Sequence, residues 1–196
     1  MTGSRRLSQA ISEGDGISII ASVGDAAAAR AAEEQGADGV ATLPGGSGAA
    51  LGTGLPILFR GRIEDAAGSD ADACLLDVKT VGDDEDDLAR FAAEAKLLGL
   101  ELVVSVTDDE QLQAVLELLD PEVLVLSPRD ADDEEEEALE HVLALLPDIP
   151  AGKLAVAALG VTSREQLHAL ERAGFDAVLV GPGDVAGLVG GAPHTA

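Results

Sequence analysis

The sequence predicts an α/β protein, a (β/α)8 TIM barrel that is small and somewhat trimmed at the N-terminal side. Three observations predict it. Short apolar runs alternate with amphipathic helical patterns from Ile17 almost to the end, which is the signature of repeated βα units. A helix end, a turn and a strand start recur as Gln35-Gly36-Ala37-Asp38-Gly39-Val40, Asp70-Ala71-Asp72-Ala73-Cys74-Leu75 and Ala173-Gly174-Phe175-Asp176-Ala177-Val178. About eight such units close a barrel, and 196 residues lies at the small end of the ~200–400 range for that fold. A doubly wound open sheet is the alternative.

The organisation follows as an N-terminal segment over 1–16, a barrel over 17–190 and a tail over 191–196. Met1 to Ala10 carries two arginines with no apolar stretch behind them, which does not make a secretory signal. Ile17 to Val23 is the first strand and Gly39 to Leu43 the second. The glycine-rich stretch from Leu43 to Gly54 leaves little room for a helix after it. Pro56 to Arg60 and Ala73 to Lys79 are the third and fourth strands. Leu88, Phe91, Ala92, Ala95 and Leu98 then share one helical face, and Gly99 stops that helix. Glu101 to Thr107 is the fifth strand, followed by the capping box Thr107-Asp108-Asp109-Glu110 and a face of Leu112, Val115, Leu116 and Leu119. Val123 to Ser127 is the sixth strand, and Leu139, Val142, Leu143 and Leu146 form a helical face ending at Pro147. Leu154 to Leu159 is the seventh strand. A box at Thr162-Ser163-Arg164-Glu165 starts the helix carrying Leu167 and Leu170, and Ala177 to Gly181 is the eighth strand.

Charge excludes whole classes of partner. There are 37 acidic and 12 basic residues, a formal net charge of −25, and no cluster of Lys and Arg that neutralises nucleic-acid phosphates. The same charge is repelled by anionic lipid, and no apolar run approaches the ~20 residues of a membrane span. The expectation is a cytoplasmic protein with no nucleic-acid and no membrane partner. Acidic residues crowd predicted helix surfaces at Asp83 to Asp87 and Asp132 to Glu137, while lysine occurs only at 79, 96 and 153. Such a surface suggests adaptation to concentrated salt, which screens self-repulsion. The lone Cys74 makes no intramolecular disulfide. His141 and His168 lie on separate helices and His194 in the tail, without a second ligand at metal spacing, so neither metal nor cofactor is expected.

In such a barrel the site lies at the carboxyl ends of the strands. Side chains alternate along a strand, so Arg60 shares a face with Arg62, Asp77 with Lys79, and Ser105 with Thr107, while Ser127, Arg129 and Asp130 end the sixth strand. Arg60, Arg62 and Lys79 thus converge on one mouth, where cations are natural partners of phosphate or carboxylate. The competing reading is that they pair with Asp77, Asp130 and their neighbours to fill the barrel top. Gly160-Val161-Thr162 and Gly181-Pro182-Gly183-Asp184 end the last two strands, where bare amides can approach a phosphate; glycine there also serves any tight βα turn, and Asp184 repels an anion. The run Pro44-Gly45-Gly46-Ser47-Gly48 lacks the Lys and Ser/Thr of a P-loop.

The segments LPILFRGRIED, ADACLLDVK, LLGLELVVSVTDDEQL, VLVLSPRDA, LAVAALGVTSREQL and AGFDAVLVGPGDV, between Leu55 and Val189, resemble in order and spacing those of indole-3-glycerol phosphate synthase. That family is the tryptophan-pathway lyase built on a phosphate-binding barrel. The resemblance implies a ligand phosphate at Gly160, Gly181 and Gly183. It also implies that the family's catalytic groups are replaced: the first-strand Glu and Lys by Ser22 and Gly24, the third-strand Lys by Arg60, the fifth-strand Glu by Ser105, the sixth-strand Asn by Ser127, and the seventh-strand Glu-Ser pair by Ala158-Leu159. The region before the first strand is shorter than the family's.

Ring closure with decarboxylation and dehydration needs a positioned general acid and base, and neither Arg nor Ser supplies them. The expectation is a synthase-like barrel that binds a small phosphorylated metabolite through Arg60, Arg62 and the glycine loops, with lyase chemistry lost or altered. Ser22, Ser105, Ser127 and Asp130 would line the pocket. One alternative is an aldolase or isomerase of a phosphorylated sugar, with Lys79 as Schiff-base lysine beside Asp77 and Arg60. Another is a non-catalytic interaction or regulatory barrel. The oligomeric state is not legible.

Overall fold

A computed structural model describes residues 5–46, 49–82, 84–130, 134–183 and 185–189. Ser47, Gly48, Asp83, Asp132, Asp184 and the tail with His194 lie outside the described residues. Eight parallel strands, each hydrogen-bonded to the next and the eighth to the first, close the barrel, so the open sheet is not formed. They are β1 (Ser18–Val23), β2 (Gly39–Thr42), β3 (Ile57–Phe59), β4 (Ala73–Asp77), β5 (Glu101–Val106), β6 (Val123–Leu126), β7 (Leu154–Ala157) and β8 (Ala177–Val180). Every strand after β1, which ends at Val23 as its apolar run suggests, ends one or two residues earlier than expected, because the ladder stops where the chain turns outward over the rim. In particular, Lys79 belongs to a one-turn helix rather than to the fourth strand.

Helices α1 (Arg6–Glu13), α2 (Ala26–Glu34), α3 (Val78–Val81), α4 (Glu85–Leu98), α5 (Asp109–Leu118), α6 (Glu135–Leu145) and α7 (Arg164–Ala173) complete the fold. Among the described residues no α-helix follows β2 or β3. The glycine-rich connection after β2 and a short 3-10 turn at Ile63–Ala66 take their places, as the shortness of Leu43 to Gly54 predicts. Gly99 ends α4 in the left-handed conformation, at φ 76°, where a Cβ would be strained. Both predicted capping boxes are displaced by one residue. The cap of α5 is Asp108, whose carboxylate accepts from the Gln111 amide, while Thr107 bonds the Gln111 side chain. The box of α7 is Ser163 with Gln166.

The two-residue period of the strands separates two cores. Outward side chains such as Val40, Phe59, Leu76, Val104 and Leu124 pack under the helices. Inward ones, Ile20, Ala41, Leu58, Leu75, Val103, Val125, Val156 and Leu179, fill the cylinder. The 1–16 segment holds a helix the sequence reading overlooks. Leu7 and Ile11 of α1 enter the inward cluster and plug the barrel at the strands' amino ends. Arg6 pairs with Asp72 at 3.1 Å and donates to the Gly54 carbonyl at 2.7 Å, and Arg5 pairs with Glu122 at 3.0 Å. Because Leu7 is 1% exposed, Leu7→Ala is expected to cost about 2–5 kcal/mol in urea unfolding.

Glu101 also serves the plug. One oxygen accepts from the Ser8 amide at 3.2 Å, and the other is buried with no partner among the described residues. Burial chiefly pushes its carboxyl pKa up, helped by Glu122 and opposed by the Ser8 bonds and Arg5. For an acid raised on folding, the stabilising contribution is complete below the ordinary value of 4.5 and fades as pH climbs through the folded value. Glu101→Gln is therefore expected to flatten this part of the pH dependence of urea unfolding and to stabilise the protein at neutral pH.

Candidate functional site

The inward rows that fill the cylinder with Leu, Val and Ala continue past its carboxyl end as polar residues. Leu58 is followed two positions on by Arg60, Leu75 by Asp77, Val103 by Ser105, and Val125 by Ser127. The substitution of polar for apolar side chains at this level opens a cavity of about 540 Å³. Arg60, Asp77, Lys79, Ser105, Ser127, Asp130 and Gly160 all line it, so seven of the expected site residues come together. Its walls otherwise include Leu75, Val125, Leu159 and Leu179, the mixture of apolar lining and a few polar groups that small-molecule sites present.

Arg60 lies at its inner wall. The Arg60 amide donates to the Thr42 hydroxyl at 2.8 Å, tying β3 to β2 as the chain leaves the sheet. The guanidinium reaches Ser22 at 3.5 Å, a long contact. Its Nε is buried with no partner among the described residues. Burial lowers the Arg60 pKa, and the charge of Asp77 partly restores it. The group remains a cation, since arginine starts far above neutrality. Asp77 is itself engaged, accepting from the Lys79 amide at 3.1 Å and from the Thr80 hydroxyl at 2.8 Å as the cap of α3. Lys79 Nζ donates to the Arg129 carbonyl and pairs with Asp130 at 3.2 Å, bracing the end of β4 against the loop after β6. Ser105 and Ser127 share a hydrogen bond of 2.9 Å.

Four expected residues do not line this cavity: Ser22, which the Arg60 guanidinium reaches from it, and Arg62, Gly181 and Gly183. Arg62 is 79% exposed, pairs with Glu64 at 3.6 Å, and lines an adjoining cavity. Gly181 and Gly183 are exposed after β8 and do not line the first cavity. They are on the same rim as Gly160, and a Cβ at any of the three would meet open space. Glu135, Thr107 and Gln166 line the cavity without having been singled out as site residues. Glu135 sits within an unbroken acidic run, so nothing in the sequence marks it out. Thr107 shares the inward face of Ser105, and that pairing was the available signal. Among the described residues no group of three His, Cys, Asp or Glu is placed to hold a metal ion, and no helix is long and apolar enough to cross a membrane. His141 bonds the Thr107 carbonyl at 2.6 Å, a structural contact between α6 and the end of β5.

The family model of indole-3-glycerol phosphate synthase matches residues 57–183, the span that carries β3 to β8 and all the residues lining this cavity. The chain belongs to the indole-3-glycerol phosphate synthase family. Relatives carrying that name include a protein of Acidithiobacillus ferrooxidans, 37% identical over 120 residues, and one of Acetivibrio thermocellus, 33% identical over 111 residues. These matches cover 61% and 57% of this chain but 44% and 41% of the relatives, so the chain spans less than half the length of the synthases it matches. The crystal structure of phosphoenolpyruvate phosphomutase from Streptomyces platensis subsp. rosaceus is similar in fold, with a TM-score of 0.66 at 16% identity over 90% of this chain and 80% of that one. That likeness concerns the barrel alone.

Proposed function

We propose that this member of the synthase family binds a small phosphorylated metabolite at the carboxyl end of its barrel, with the family's lyase chemistry lost or altered. The observation that carries this reading is Arg60, a half-buried guanidinium lining the cavity, with its Nε enclosed and unpaired among the described residues. Leaving a buried donor unmade is costly, and an anionic oxygen is the partner such a donor prefers. Gly160 on the opposite wall gives a bare backbone against which the rest of an anion can lie. The hydroxyls of Ser105 and Ser127 supply neutral hydrogen bonds between them and offer no general acid or base.

Lys79 fits the aldolase or isomerase reading less well. Its amine hydrogens go to Arg129 and Asp130, whereas a Schiff base needs the nitrogen lone pair turned to a substrate carbonyl.

Titration calorimetry with inorganic phosphate and with glycerol 3-phosphate tests the binding half of the proposal. Both are expected to give heat and to raise the melting temperature, the ester more strongly. A parallel assay for indole-3-glycerol phosphate is expected to show no formation above the uncatalysed rate. Binding absent for both probes, or a measurable synthase rate, contradicts the reading.

A further inference from the structure

A second cavity of about 410 Å³ adjoins the first, walled off from it by Arg60, Leu75 and Asp77. It occupies the flank where no helix follows β2 or β3, between the loop after β3 and helix α4. Its size falls within the ~300–1,000 Å³ of small-molecule sites. The wall is preformed: the Gly45 amide donates to the Arg60 carbonyl at 2.8 Å, and Gly61 lies so close to the Phe59 ring that a Cβ there would come within 2.7 Å of it. The floor is apolar, with Ile63 and Phe91.

The rim carries both signs of charge, in two exposed pairs, Arg62 with Glu64 at 3.6 Å and Arg90 with Asp87 at 2.7 Å, and in the further carboxylate of Glu94. Exposed pairs of this kind contribute little and open readily. A purely anionic ligand would meet the rim carboxylates and a purely cationic one the arginines. A ligand with one group of each sign exchanges the two intramolecular pairs for two charge-assisted contacts of its own, while an apolar body covers Phe91 and Ile63. We propose that the second cavity is a binding site for an apolar α-amino acid in its zwitterionic form. This does not depend on what fills the first cavity, because its recognition groups are Arg62, Glu64, Asp87 and Arg90.

The test is calorimetry on the full chain with three probes of one shape: L-phenylalanine, 3-phenylpropanoate and 2-phenylethylamine. L-phenylalanine is expected to bind, and each singly charged analogue to bind roughly tenfold more weakly, the loss of one charge-assisted contact. Arg90→Ala is expected to weaken L-phenylalanine by a similar factor while leaving the melting temperature and phosphate binding unchanged, since Arg90 is exposed and lines only the second cavity. No binding by any probe, equal binding by an analogue, or indifference to Arg90→Ala overturns the proposal. Failure of phosphate to bind leaves it standing and counts only against the reading of the first cavity.

Discussion

Replacing Arg60 by Met is expected to abolish phosphate and glycerol 3-phosphate binding and, at the same time, to make the protein more stable. The two effects have one origin. The guanidinium is half-buried, with its Nε enclosed and unpaired among the described residues and its nearest hydroxyl at 3.5 Å, so the folded chain carries one unsatisfied buried donor worth about 1–3 kcal/mol of lost stability. Met keeps much of the volume, needs no partner, and continues the apolar row below it through Leu58. An increase of about 1–2 kcal/mol in urea unfolding follows. Asp77 tempers the gain, because the substitution removes its cationic neighbour. Its bonds to the Lys79 amide and to Thr80 remain. A group retained at a cost to stability belongs to the site rather than to the scaffold. A destabilised variant, or one that still binds glycerol 3-phosphate with unchanged affinity, would show that Arg60 serves packing alone.

The second large effect concerns salt. With a formal charge of −25, the folded state concentrates repulsion that the unfolded chain spreads out. Much of the charge sits in the first turns of helices, Glu85, Asp86 and Asp87 in α4, Asp109 and Glu110 in α5, and Glu135, Glu136 and Glu137 in α6. The helix dipole favours acids there. Because helices start where parallel strands end, these turns ring the mouth of the barrel. Raising KCl from about 0.01 M to 1 M shortens the screening length from ~30 Å to ~3 Å. The melting temperature is expected to rise by roughly 5–10 °C, equivalent to about 2–3 kcal/mol of screened repulsion at this chain length. Screening acts more on the exposed ring than on half-buried Arg60, so phosphate affinity is expected to hold or increase with KCl. A melting temperature that stays level or falls between the two salt concentrations would refute a salt-adapted surface.

How far the sequence could be read depended on the range of the interactions involved. The strands and most helices were legible because their hydrophobic periods are local: the run at Val123 to Ser127 could only be a buried strand, and Gly99 could only end a helix. The convergence of Arg60, Asp77, Ser105 and Ser127 was legible too, since closure of the barrel turns a two-residue alternation into a shared mouth. Helix α1 was not, because Leu7 and Ile11 are two apolar residues in a polar stretch, and only the barrel's open end gives them a partner. The displacement of Arg62 has a similar cause. The chain leaves the sheet at Phe59, so the strand alternation that would carry Arg62 into the mouth no longer applies. Capping was misplaced by one residue because Thr107 and Thr162 each compete with the residue that follows for the same helix start.

The most direct measurement is a crystal structure of the protein soaked in glycerol 3-phosphate. The phosphate is expected inside the cavity of about 540 Å³, hydrogen-bonded to the Arg60 guanidinium with its far side toward Gly160. An ester bound only outside this cavity, or an empty cavity at a concentration that saturates any calorimetric signal, would contradict the account.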